Sequence, residues 1–140
     1  MRPWHFWPVA LVALLWSLAA STDHLLTVLR VPAYLGLFSD DLVAYITDLS
    51  STLIAIWGVG VWAGFGGVLM MCWNARGSAM VLALAAAGST CLAVWLIVLA
   101  EPPLRHVAGI AGDAIMMISA VVPILIWLYA RALHSRGVLN

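Results

Sequence analysis

Between Asp48 and Arg76 the chain reads LSSTLIAIWGVGVWAGFGGVLMMCWNA (residues 49–75), with no charged side chain. About 20 apolar residues in a helix cross about 30 Å of hydrocarbon, so this stretch predicts a membrane span. Comparable runs extend from 3 to 22, from 77 to 100 and from 106 to 130, the last interrupted only by Asp113. The expected spans are therefore 4–22, 48–73, 78–99 and 106–130. They predict an all-α integral membrane protein, a four-transmembrane-helix bundle forming a single membrane domain over residues 1–140.

Composition agrees. The chain is 65% hydrophobic and 9% charged, with a mean hydropathy of +1.08, which suits a lipid bilayer and not a soluble domain. Net charge is zero and no basic cluster exists, so neither nucleic acid nor a polybasic lipid contact has electrostatic support. All six basic residues are Arg, a usage that suggests a GC-rich bacterial genome. Cys72 and Cys91 lie at different depths of spans two and three and read as small packing residues, since a disulfide needs Cα atoms within about 7 Å. Met1-Arg2, the apolar run Pro8–Leu15 and Ser17-Leu18-Ala19 resemble a secretory leader, but Pro3–Thr22 is long enough to cross, and an uncleaved first span is expected.

Positive charge beside short loops sets orientation. Arg2, Arg76, Arg131 and Arg136 fall on one side, Arg30 and Arg105 on the other. This bias puts both termini in the cytoplasm of a bacterial inner membrane. The first outer loop, about Asp23 to Asp48, is too long and too patterned to be bare. Helix one should continue through Leu29 until Val31-Pro32 ends it, because proline disfavours helix in its predecessor. Ser39 followed by Asp40 and Asp41 reads as an N-cap with acids in the first turn. A helical outer cap between spans one and two results, and from Asp40 to Trp73 only glycines interrupt a helical reading. Such a helix would be about 50 Å long and would have to project, tilt or kink.

Span two carries Gly58, Gly60, Gly64, Gly66 and Gly67, and the Gly60–Gly64 spacing lets helix backbones approach closely. Gly60, Gly64 and Gly67 are the expected packing positions. Ala79, Ala83, Ala86 and Ala87 offer a matching smooth face on span three. Packing among the four helices explains these faces better than a dedicated dimer surface. Trp57, Trp62 and Trp95 lie deep, where tryptophan fills space between helices.

Asp113 is the sharpest candidate for chemistry. Eight residues past Arg105 it lies about 12 Å along a helix from that flank, and a central Asp costs about 2.5–3.5 kcal/mol on insertion scales. It is read as a proton-coupling or cation-binding acid, or as a structural acid bonded to Ser50, Ser51, Thr52 or the Trp57 indole, and the structural role ranks ahead. His106, Gly109, Ile110 and Asp113 share one helix face at i, i+3, i+4 and i+7. Asp23, Thr27 and Arg30 share another, and Asp41, Tyr45, Asp48 and Thr52 a third. Asp113, His106, Arg105, Asp23, Arg30 and Asp48 thus form a candidate polar cluster on the outer side, as an electrostatic clasp first and as a solute vestibule second. His24 and His106 lack ligand-spaced partners, and no phosphate loop or Ser-His-Asp pattern occurs, so no metal, cofactor or enzyme activity is expected.

Leu14-Leu15-Trp16, Asp23, Thr27, Tyr34-Leu35, Phe38, Trp57-Gly58-Val59-Gly60-Val61-Trp62-Ala63-Gly64, Leu128-Tyr129-Ala130-Arg131 and Arg136-Gly137-Val138-Leu139 carry a resemblance over most of the chain. It resembles a group of small, uncharacterised four-span inner-membrane proteins of proteobacteria, often labelled as sugar transporters. The chain departs from that group at Ser17, where members have Asn, and at Ser50-Ser51-Thr52, where they have Pro-x-Trp. The resemblance implies the four-span topology. Two functions are expected, in this order: a non-catalytic accessory or structural component that packs against other membrane subunits or itself, and a small-solute transporter, proton-coupled or not, acting as a homo-oligomer.

Overall fold

Two serines start the two helices into which the expected 40–73 helix is divided. Ser39 Oγ accepts from the Leu42 amide and starts a short helix, and Ser50 Oγ accepts from the Leu53 amide and starts the next. In the computed structural model, which describes residues 2–139, the order is α1 (Phe6–Val28), α2 (Pro32–Leu35), α3 (Asp40–Thr47), α4 (Ser51–Cys72), α5 (Ser78–Val94) running into a π-helical turn (Trp95–Leu99), and α6 (Leu104–Ser135). The 40–73 helix does not form, because the Ser50 cap outcompetes continuation through Asp48 and Leu49. Span two therefore starts at Ser51, while span one runs on to Val28 and span four covers Leu104–Ser135.

Among the described residues, four helices are long and apolar enough to cross a membrane: Phe6–Val28, Ser51–Cys72, Ser78–Leu99 and Leu104–Ser135. The protein is an all-α, four-helix, multi-pass membrane bundle, with α2 and α3 forming a helical cap between spans one and two. No strand occurs among the described residues. The large apolar side chains left exposed, such as Leu11, Val12 and Leu15 on α1 and Ile115, Ile118 and Leu125 on α6, suit the lipid environment.

Lipid tails are as apolar as leucine, so packing within the bundle depends on close fit and not on expulsion of water. The fit is tightest between α4 and α5. A Cβ on Gly88 would lie 2.9 Å from the Gly60 nitrogen, and one on Gly60 would lie 3.0 Å from the Ser89 nitrogen. One helical repeat away, a Cβ on Gly67 would lie 2.8 Å from the Leu82 side chain, whereas Gly64 has ordinary contacts at 3.7 Å to Ala85 and Ser17. Helix α5 meets α4 through Leu82, Ala85 and Gly88, while Ala87 of the expected alanine face is exposed.

The closely packed pairs are α4 with α5, α5 with α6, and α1 with α4. At the end holding the termini, Phe6, Ala10, Met71, Leu82, Ala130 and Leu133 form a sealed core. There Arg2 donates to the Cys72 carbonyl at 2.8 Å, and His5 Nδ1 and the Tyr129 hydroxyl are hydrogen-bonded at 2.9 Å. At the loop end a smaller core of Leu92, Leu96 and Leu104 is covered by Leu42 and Tyr45 of α3 and by Trp57. Between these two cores, α1 and α6 leave space.

Candidate functional site

The space is a partly open cavity of about 260 Å³ bounded by α1, α4, α5 and α6. Small residues create it: Ser17 and Ala20 on α1, Gly60 and Gly64 on α4, and Ala85 and Ser89 on α5. Side chains this short leave a void where leucines would interdigitate. Trp16 and Trp57 supply aromatic walls, and Ile115, Met116 and Ile126 supply the apolar wall from α6. The Ile126 side borders the sealed core at the terminal end.

Besides the hydroxyls of Ser17, Ser89 and Ser119, two polar features break this apolar lining. Pro123 of α6 has no N–H, so the Ser119 carbonyl loses the helical bond that residue 123 would otherwise donate, and both residues border the cavity. Asp23, one and a half turns before the end of α1, is the only charged residue among those lining it. The Tyr34 hydroxyl, presented by α2, donates to Asp23 Oδ1. Burial first, and then the bond to Asp23 and its negative charge, push the Tyr34 phenol well above its usual value, so it remains a donor. Asp23 has no ion-pair partner among the described residues.

Next to Asp23, His24 turns the other way and clasps α4. Its ring meets Trp57 edge-on at 4.9 Å between centroids and sits where a Cβ of Gly58 would come within 3.2 Å. Trp62 Nε1 lies 3.4 Å from His24 Nδ1, and His24 Nε2 lies 3.3 Å from the Ile54 carbonyl. An indole nitrogen only donates, so Nδ1 accepts and the ring proton sits on Nε2, facing the carbonyl. Both ring nitrogens are thereby engaged. Ser21 Oγ, donating to the Val61 carbonyl at 3.2 Å, adds a second polar tie between α1 and α4.

The rest of the candidate cluster is dispersed. Gly109 has φ 64° and ψ −165°, a backbone region open essentially to glycine alone, and it kinks α6. The face drawn through His106, Gly109, Ile110 and Asp113 is therefore broken, and His106 is exposed. The kink brings Arg105 Nε to 3.9 Å from Asp113 Oδ2, although eight residues of straight helix would separate them by about 12 Å. Asp113 meets neither Ser50, Ser51, Thr52 nor Trp57 in a hydrogen bond, and its buried Oδ1 accepts none. Asp113 does not border the cavity. Arg30 lies beyond α1 with φ 50°, outside the stripe through Asp23 and Thr27, and donates to the Thr47 carbonyl at 3.3 Å. Asp48 is the exposed C-cap of α3, and the break after it takes Thr52 off the face of Asp41 and Tyr45. Among the described residues no three His, Cys, Asp or Glu side chains converge as a metal would require.

Sequence reasoning named Asp23 but missed its setting. The partnership with Tyr34 depends on α2 folding back against α1, and the cavity depends on how far α1 and α6 stand apart. Pro123 was the legible clue, since a proline inside a span marks an unpaired carbonyl.

No protein-family model, curated protein or solved structure matches the chain.

Proposed function

We propose that this is a non-enzymatic protein of the bacterial inner membrane, with both termini in the cytoplasm, that binds a small solute in the cavity between α1 and α6 as part of carrying it. The cavity is the observation that supports this reading over an accessory subunit. About 260 Å³, lined by small residues and two tryptophans with a few polar groups, approaches the low end of small-molecule sites at about 300 Å³. The glycine face that would have served a partner subunit is taken up inside the chain, where Gly60 and Gly67 lie against α5. The orientation rests on the four arginines Arg2, Arg76, Arg131 and Arg136 at the terminal end, against Arg30 and Arg105 at the loop end.

Purification in mild detergent followed by native mass spectrometry tests the reading. A small molecule that stays with the wild-type protein but not with Ala20→Leu, which fills the cavity from α1, supports it. A protein partner at fixed stoichiometry, with no small molecule retained, would return the accessory role to first place.

A further inference from the structure

The cavity carries one sign of charge. Among the described residues Asp23 is its only charged lining residue, and the two arginines of the loop end have contacts elsewhere, Arg30 with the Thr47 carbonyl and Arg105 with Asp113. A carboxylate has about four acceptor sites, and Tyr34 occupies one of them. The Ser119 carbonyl released by Pro123 is a further acceptor. Trp16 and Trp57 add indole side chains to the lining, and an indole ring attracts cations through its quadrupole. An uncompensated carboxylate, a spare carbonyl and two indoles in one half-enclosed space favour a cation that donates hydrogen bonds, and disfavour anions.

We propose that the cavity selects a small protonated amine carrying an apolar body, with the ammonium at Asp23 and the body against Met116 and Ile126. This rests on the solute-binding reading above and names the class of solute. Size agrees: a cavity of about 150 Å³ holds benzene, so by proportion 260 Å³ takes about ten non-hydrogen atoms. A phenylethylammonium is of that size. The ammonium enters at the loop end, because Asp23 lies near that end of α1 and the terminal end is sealed by Phe6, Met71 and Ala130.

The test compares 2-phenylethylammonium with propylbenzene, which has the same shape but carries a methyl in place of the charged nitrogen. The protein is the full chain in phosphatidylglycerol nanodiscs, and the signal is the ¹³C-labelled methyl of Met116, assigned with Met116→Leu. The expected result is saturable binding of the amine at least about tenfold tighter than propylbenzene, a margin below what one unscreened charge at contact distance supplies. Asp23→Asn should shrink the margin to under about threefold while propylbenzene binding persists. Equal binding of both probes, lost in Ala20→Leu, would overturn the amine proposal and leave the cavity reading standing. Absence of binding by either probe to protein with wild-type circular dichroism would overturn both. Adding phosphatidylethanolamine separates two sources of the same chemistry: competition supports the ammonium site and makes a lipid headgroup its occupant, whereas indifference assigns it to a free amine.

Discussion

Replacing Gly88 by Ala should loosen the bundle, and replacing Gly66 by Ala should not. A methyl on Gly88 would sit 2.9 Å from the Gly60 nitrogen, 3.0 Å from the Gly60 Cα and 3.1 Å from the Ile56 carbonyl oxygen, all of them backbone atoms that no rotamer change can move. Carbon contacts settle at about 3.5 Å or more, so the axes must part by about 0.6 Å (3.5 − 2.9) at the crossing, enough to forfeit about a quarter of each neighbouring contact. Overpacking of this kind costs about 1–3 kcal/mol. Alanine returns about 0.5–1 kcal/mol through a stiffer unfolded chain. A net loss of about 0–2.5 kcal/mol follows for Gly88→Ala. A Cβ on Gly66 meets nothing within 4 Å, so that variant keeps only the gain of about 0.5–1 kcal/mol. Reversible unfolding in mixed dodecylmaltoside and dodecylsulfate micelles, followed by circular dichroism, measures both. If the two variants fall within about 0.5 kcal/mol of each other, the close approach of α4 and α5 is not what holds them, and the packing account fails.

Three further outcomes are expected. Gly109→Ala should cost about 1–3 kcal/mol or straighten α6, since alanine does not adopt φ 64°, ψ −165°; spin labels at Pro103→Cys and Met117→Cys should then read a longer distance. Arg105→Gln should change stability by less than about 1 kcal/mol, because its partner contact with Asp113 is long and the arginine largely exposed; a larger loss would show that Asp113 depends on it. Tyr34→Phe should flatten part of the alkaline stability limb. The folded phenol stays protonated above the ordinary value of 10.0 while the unfolded one ionises there, so its contribution is complete below that pH and is lost as pH rises further. An alkaline limb identical in wild type and Tyr34→Phe would contradict that burial.

The span count was readable because a charge-free run of such length has few alternatives to crossing a bilayer, and Ser39 announced its helix through the two acids behind it. Ser50 is a capping residue too, but no acids follow it and no proline or glycine stands nearby, so the break before Ser51 went unseen. At Gly109 the sequence showed a glycine on a polar face. The structure uses its freedom of φ, and every face drawn through it by helical spacing is lost. Asp23 and Asp113 looked alike as acids near the outer side. What separates them is tertiary: Tyr34 folds back onto one, and a kink brings an arginine to the other.

The neighbour-to-neighbour packing of the long helices bears on how the protein is made. Helices α4 and α5 are joined by residues 73–77 and α5 and α6 by residues 100–103, so the third and fourth spans meet their principal partners within a few residues of synthesis, whereas α1 meets α4 across the segment that holds α2 and α3. Such local contacts form quickly and leave little for a chaperone to protect. Closure between the first and last spans comes from the terminal end, through the His5–Tyr129 bond and the burial of Phe6 with Ala130 and Leu133. The last two turns of α6 therefore act as the latch of biogenesis. A chain ending before Tyr129 would insert its spans yet leave α1 unfastened, and the membrane's quality-control proteases would meet an open bundle.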